Sequence, residues 1–195
     1  MLKKLATIGI LSIAVLPLTS HAQVIAGMNF NKSFNGDLDL KYNNNTTTYD
    51  LDTHEASFFI GHKNYRNNRF LLSLNKQKFK VSDSGYSSDA KGLRLDWQFV
   101  YGEQILQPYW GAGFGLYSHS LKSSPIVSGK KQTGFSLQAM GGTKVSLRPN
   151  LELDFSLQMQ GIKWQNVKTR NTTSSSDISM DNIQIGASVG FAYIF

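Results

Sequence analysis

An all-β fold, specifically an eight-stranded antiparallel up-and-down transmembrane β-barrel, is what this sequence predicts, on three observations. A leader with an apolar centre occupies residues 1–22. Eight later segments alternate apolar and polar residues with period two, and the connections between them run long, short, long, in the rhythm of successive hairpins. The last segment, Met180 to Phe195, is the clearest. Ile183, Ile185, Ala187, Val189, Phe191, Tyr193 and Phe195 share one face, and Gln184, Gly186, Ser188, Gly190 and Ala192 share the other, because successive strand side chains point to opposite sides.

The leader reads as an export signal. Lys3 and Lys4 form its basic start, Leu5 to Leu18 its apolar centre, and Ser20-His21-Ala22 supplies small residues for cleavage, so the expected mature chain begins at Gln23. A transmembrane helix needs about 20 apolar residues, and no run after Ala22 approaches that length, so a membrane protein with this sequence crosses with strands. Without the two leader lysines, about 173 residues carry 18 Lys+Arg against 13 Asp+Glu, scattered along one domain, 23–195. Scattered charge and export together exclude nucleic acid as a partner. The absence of cysteine excludes a small disulfide-stapled module.

The first strand covers Gln23 to Lys32, with Val24, Ala26, Met28 and Phe30 on one face. About twenty polar residues follow, including Asn43 to Thr48, and read as a solvated loop. The second strand covers about Ala56 to Lys63, and the short turn Asn64 to Asn68 leads to the third, where Phe70, Leu72 and Leu74 alternate with Leu71, Ser73 and Asn75. After a polar loop, Ser82 to Ala90, the fourth strand sets Leu93, Leu95, Trp97, Phe99 and Tyr101 against Arg94, Asp96 and Gln98. The fifth, Leu106 to Ser118, sets Trp110, Ala112, Phe114 and Leu116 against Gly111, Gly113, Gly115 and Tyr117. A loop from His119 to Thr133 precedes the sixth, Gly134 to Leu147. The turn Arg148-Pro149-Asn150 joins it to the seventh, where Leu151, Leu153, Phe155, Leu157 and Met159 oppose Glu152, Asp154, Ser156, Gln158 and Gln160. A last polar loop, about Lys163 to Ser179, precedes the eighth.

A secreted β-sandwich also alternates, but it would have to fit all of these wide aromatic stripes into one small core. Eight strands of about ten residues instead match the length that crosses a bilayer at a tilt. With both termini and the short turns on one side, Phe70, Tyr101, Trp110, Tyr193 and Phe195 gather at that end, and Phe30, Phe135 and Trp164 at the other. Closure of the last strand on the first is required, because hydrocarbon offers no partner to an unpaired backbone group.

The leader, the run Pro108-Tyr109-Trp110-Gly111-Ala112-Gly113-Phe114-Gly115 and the terminal Gly190-Phe191-Ala192-Tyr193-Ile194-Phe195 resemble the eight-stranded bacterial outer-membrane barrels: the membrane domain of outer-membrane protein A, the small adhesion barrels and the opacity proteins. The resemblance covers essentially the whole mature chain. It implies residence in the bacterial outer membrane, and it implies that Phe191, Tyr193 and Phe195 form the signal read by the outer-membrane assembly machinery.

The inward charges Arg94, Asp96, Lys144, Glu152 and Asp154 are the main polar constellation. Pairing Leu147 with Leu151 sets Lys144 across from Asp154, within reach of an ion pair. Placing Trp97 beside Trp110 sets Arg94 against Gly113 and Asp96 against Gly111. A barrel of eight strands is just wide enough to be filled by its own side chains, so a packed polar interior is expected, with a narrow, low-conductance pore as the alternative. The glycines of the fifth strand alternate with lipid-type residues and open no helix, which excludes a phosphate-cradling loop.

A lipid A-modifying enzyme is a third reading, for which a serine beside a histidine is the minimum. His119 lies between Ser118 and Ser120 but projects to the opposite face, and neither it nor His54 or His62 has an evident third partner. His119 reads as a solvated residue at a loop base, and no catalytic site, cofactor or metal is expected. The loops carry the remaining signal. Asp37, Asp39, Asp50 and Asp52 make the first acidic, while Lys122, Lys130, Lys131, Lys163, Lys168 and Arg170 make the third and fourth basic. A basic patch of this kind attracts lipopolysaccharide phosphates or acidic host glycans, so outer-membrane lipids, lipopolysaccharide and host surface molecules are the expected partners beside the assembly machinery. The function expected is envelope integrity or adhesion through the surface loops.

Overall fold

The computed structural model describes residues 23–42, 45–82, 87–120, 131–168 and 177–195. The expected leader, residues 1–22, and its expected cleavage point before Gln23 lie outside them. The strands are β1 (Gln23–Tyr42), β2 (Asn45–Lys63), β3 (Arg69–Val81), β4 (Ser87–Val100), β5 (Leu106–Ser120), β6 (Lys131–Arg148), β7 (Leu151–Trp164), the two-residue β8 (Val167–Lys168) and β9 (Asp177–Ile194). Each long strand pairs antiparallel with the next, β7 with β9, and β9 returns to β1 across a ladder from Ile25↔Ile194 to Tyr42↔Ile178. The eight long strands are therefore the staves of a closed, up-and-down barrel, and β8 is a short rung on β9.

The register fixes the barrel's shape. Tyr193 lies beside Ala26, which leads through Ile60, Leu72, Leu95, Phe114, Leu137 and Gly161 back to β9 at Ile183. One circuit thus ends ten residues from its start (193 to 183). For eight strands, this stagger implies a tilt of about 40° and a climb of about 2.5 Å per residue along the barrel axis. Ten residues then rise about 25 Å, the height of a transmembrane barrel's apolar band.

The faces are inverted relative to a soluble protein. Phe30, Ile60, Leu74, Phe114, Leu137, Leu157 and Val189 are among the large apolar residues that point outward and are about half or more exposed, whereas Arg69, Arg94, Asp96 and Lys144 are at most 4% exposed. At the end bearing the short turns, an aromatic ladder crosses three strands on the outside. Phe70 stacks near Trp97 (5.0 Å between centroids), Trp97 on Phe99 (4.7 Å) and Phe99 on Trp110 (4.4 Å), and Trp110 Nε1 donates to the Tyr101 hydroxyl at 2.7 Å.

Three expectations are corrected. Residues 33–55 are not a twenty-residue loop: β1 and β2 continue as a paired ribbon to Tyr42 and Asn45, bulged near Ser33. The acidic residues Asp37, Asp39, Asp50 and Asp52 therefore stand on strands. The ribbon persists because its inward residues Leu38 and Leu51 remain apolar and pack with Phe79, Val81, Ala90, Ile162 and Trp164. Trp164 is the second correction. It is 2% exposed, inside the barrel, and its Nε1 donates to Asn182 Oδ1 at 2.9 Å, so it belongs to no interfacial girdle, while Phe30 and Phe135 do face outward. Third, Trp97 pairs with Ala112 and Phe99 with Trp110, two residues from the expected register. The shift stacks Phe99 on Trp110, and because it is even, every side chain keeps its face.

Candidate functional site: a filled lumen and a raised outer rim

The lumen is built from inward positions of all eight long strands and holds two charged tiers. In the lower tier, toward the short turns, Arg69 at the start of β3 forks onto Glu152 of β7, with Nη1 to Oε2 at 2.5 Å and Nη2 to Oε1 at 3.0 Å. Beside it, Lys144 of β6 pairs with Asp154 of β7, its register partner, and lies 4.3 Å from the centre of the Tyr109 ring, whose hydroxyl donates to Asp154 Oδ1 at 2.8 Å. The space bounded by Arg69, Lys144, Glu152 and Asp154 is about 10 Å³, at most one water.

In the upper tier, Arg94 of β4 is gripped from two sides. Its Nε donates to both oxygens of Asp96 at 3.0 Å, and its Nη1 to Glu55 Oε1 at 2.7 Å. The Tyr117 hydroxyl donates to Glu55 Oε2 at 2.9 Å and accepts from Gln160 Nε2 at 3.0 Å, which carries the network on to Gln184 and Gln77. The strand glycines make room for it: a side chain at Gly113, the register partner of Asp96, would collide with the Asp96 carboxylate. An apolar cluster accompanies each tier. Ile25, Phe59, Leu71, Ala192 and Ile194 pack at the lower, and Leu38, Leu51, Phe79, Val81, Ala90, Tyr117, Ile162 and Trp164 at the upper.

The predicted interior residues Arg94, Asp96, Lys144, Glu152 and Asp154 thus all point inward, but they divide between the tiers. Arg94 faces Gly115 and Asp96 faces Gly113, following the shifted register. Sequence reasoning missed Arg69 and Glu55, having placed one beside a turn and the other in a loop. Their odd positions continue the inward alternation of Leu71, Ser73 and Asn75 and of Ser57, Phe59 and Gly61, which was the available signal.

His119 is a further correction. It is 4% exposed and points inward, within 3.1 Å of Ser88 Oγ through Nδ1 and 2.9 Å of Gln132 Oε1 through Nε2, edge-on to Trp164. Because the strands run on past the bilayer, this former loop base lies within the barrel wall. It stands three positions beyond Leu116, the last outward apolar residue of β5, so it is above the lipid belt, and burial lowers its pKa. His54 is exposed and lies 3.6 Å from Asp52. Among the described residues, no group of three or more His, Asp or Glu side chains is arranged to hold a metal ion.

Of the basic loop patch, Lys122, Lys130 and Arg170 lie outside the described residues. Lys131 and Lys163 are exposed and stand on strands, where Lys163 pairs in register with Asp181, and Lys168 belongs to β8. At the chain's end, Phe191, Tyr193 and Phe195 point outward, Tyr193 and Phe195 meeting edge to face at 4.8 Å. The Phe195 amide donates to Val24 O at 2.9 Å, and the Tyr193 hydroxyl accepts from Asn150 Nδ2 at 2.7 Å, so the last residue is tied into the closing seam.

No family model and no curated protein matches the sequence. Solved structures do match. Neisserial surface protein A aligns with a TM-score of 0.53 at 13% identity, over 87% of this chain and 97% of that one. The N-terminal β-barrel domain of Pseudomonas aeruginosa OprF aligns at 0.45, with 16% identity, over 87% and 97%, and the attachment invasion locus protein Ail of Yersinia pestis at 0.41, with 14% identity, over 90% and 99%. At these identities the likeness concerns fold. The closed ladder, the apolar outer belt and the alignment with Neisserial surface protein A together give this chain the fold of the eight-stranded outer-membrane β-barrels.

Proposed function

We propose that this protein is a sealed outer-membrane platform whose raised strand hairpins contact the envelope surface or a host surface. The observation that carries this reading is the lumen. Two tiers of buried ion pairs, the lower packed beside one apolar cluster with about 10 Å³ of space between them and the upper capped by another, fill the bore among the described residues, so the surface above the bilayer is what remains for interaction. The same packing argues against the narrow-pore alternative, since conduction would require breaking buried ion pairs that are costly to separate. The raised rim supports it from outside: β1 and β2 stay paired to Tyr42 and Asn45, which holds their tip well clear of the belt. Lys122, Lys130, Lys131, Lys163, Lys168 and Arg170 give the other hairpins the charge to meet acidic glycans.

The test replaces each segment between the described strands on this side (43–44, 83–86, 121–130 and 169–176) with a two-residue Asn-Gly sequence and measures binding of whole cells to an immobilised sulfated glycan. Replacement of 121–130 or 169–176 is expected to abolish most of the binding, with the barrel still present in the membrane. Undiminished binding after all four replacements would overturn the adhesion reading.

A further inference from the structure

Lys76 and Lys91 are direct register partners on the outer wall, where like charges opposite one another are destabilising. Lys32 and Lys78 stand nearby, as the register partners of His54 on its two sides, and all four lysines are exposed. Among the described residues, no carboxylate lies within ion-pair distance of any of them. Glu55 turns inward to Arg94, and Asp89 pairs in register with Lys78 without forming an ion pair. Below this cluster the small side chains of Ala56 and Ala187 leave a recess beside the paired Phe30 and Val189, part of an outer-wall groove of about 640 Å³ that Lys32, Lys76 and Lys78 overhang and that Asp89 also lines.

The cluster's height sets its meaning. Each step along the register climbs about 3 Å per strand, which places Lys32, Lys76 and Lys91 about 18–23 Å above Tyr193, while Phe135 and Ile183 across the barrel carry the apolar belt to about 24–25 Å. On this one sector, then, cations descend into the level where the outer leaflet's headgroups meet its acyl chains. Lysines can reach upward from there along their apolar stems. An unpaired cationic cluster over an apolar recess at that depth is complementary to a molecule with negative phosphates above and hydrocarbon below.

We infer that the groove under Lys32, Lys76 and Lys78, with Lys91 beside Lys76 at its edge, is a specific seat for one phosphorylated, acylated saccharide of the outer leaflet, the class to which lipopolysaccharide belongs. A phosphate bridges Lys76 and Lys91 and relieves their repulsion, while an acyl chain lies along Phe30, Ala56, Ala187 and Val189. None of the seat's lysines belongs to the basic patch Lys122, Lys130, Lys131, Lys163, Lys168 and Arg170. The seat rests on the reading of a sealed barrel in the outer membrane and adds a fixed lipid partner to it.

The experiment uses the chain refolded in detergent micelles, with folding checked by its heat-dependent electrophoretic mobility, and counts bound lipid by native mass spectrometry. The probes are bisphosphorylated lipopolysaccharide, the same lipid after dephosphorylation, and inorganic phosphate as competitor. Expected are one tightly held lipopolysaccharide per barrel, about thirtyfold weaker binding by Lys76→Gln/Lys91→Gln at the usual strength of two basic residues against an anionic surface, and retained binding by Lys76→Arg/Lys91→Arg. Arg66→Gln, at an exposed residue in the short turn at the far end of the barrel, is expected to bind as the parent does. Equal binding by the Gln double variant, or equal binding of the dephosphorylated lipid, would overturn the inference, as would displacement by millimolar phosphate, which would mark a plain anion site. A chain that folds but binds no lipid defeats this inference alone; a chain that forms no barrel defeats the reading beneath it.

Discussion

Arg69 shows how much of the interior hangs on single side chains. It is 1% exposed, and its guanidinium is held by both oxygens of Glu152 and by Asn67 Oδ1 at 3.3 Å. Such a pair adds little net stability relative to an apolar pair of equal volume, but removing one partner strands the other charge. Arg69→Ala is accordingly expected to cost about 3–5 kcal/mol in urea unfolding from lipid vesicles, and Arg69→Met/Glu152→Leu to recover most of that loss. Equal losses in the single and double variants would mean that the pair is not what the arginine supplies. Arg94, Asp96, Glu152 and Asp154 were legible in the sequence because they sit opposite unbroken apolar stripes. Arg69 and Glu55 were not, since reading them as strand residues required knowing that β3 begins and β2 continues where the local composition is polar. His119 was misread for the same reason: its partners Ser88 and Gln132 lie on neighbouring strands, and no local pattern reports them.

Strands, by contrast, announced themselves through their faces more than through their ends. The period-two pattern identified every stave, yet β1, β2, β4 and β6 all extend into stretches rich in Asn, Thr, Ser or Lys, because above the bilayer the outer face meets water and only the inner one stays partly apolar. Register is subtler still. The pairing of β4 with β5 differs by two residues from the expected one, a change that leaves faces intact and so leaves no trace in the alternation. The last strand is the best specified. Its ladder to β1 closes the sheet, and Phe195 both lies at the lipid boundary and hydrogen-bonds Val24. Phe195→Ser is expected to remove about 2 kcal/mol of apolar burial in lipid and, if the terminal aromatics are the address read during assembly, to lower the amount inserted in cells severalfold more than it lowers spontaneous refolding into vesicles. Equal losses in the two settings would leave Phe195 as an anchor only.

Taken whole, the molecule is a closed hydrogen-bonded cylinder turned inside out, and closure explains most of its features. Lipid forbids an open edge, so β9 must meet β1; eight strands at this stagger enclose a bore that side chains can fill, so charges can be buried only as satisfied clusters. What remains for the cylinder to work with is its outside: the basic groove at the lipid boundary and the hairpins above it. An outward-facing role depends on the lumen being sealed, and planar-bilayer recording of the refolded protein tests that most directly. No unitary current steps are expected from the parent protein. Stable unitary conductance that changes in Lys144→Ala would contradict the account, because it would place ions beside a side chain that here is locked between Asp154 and Tyr109.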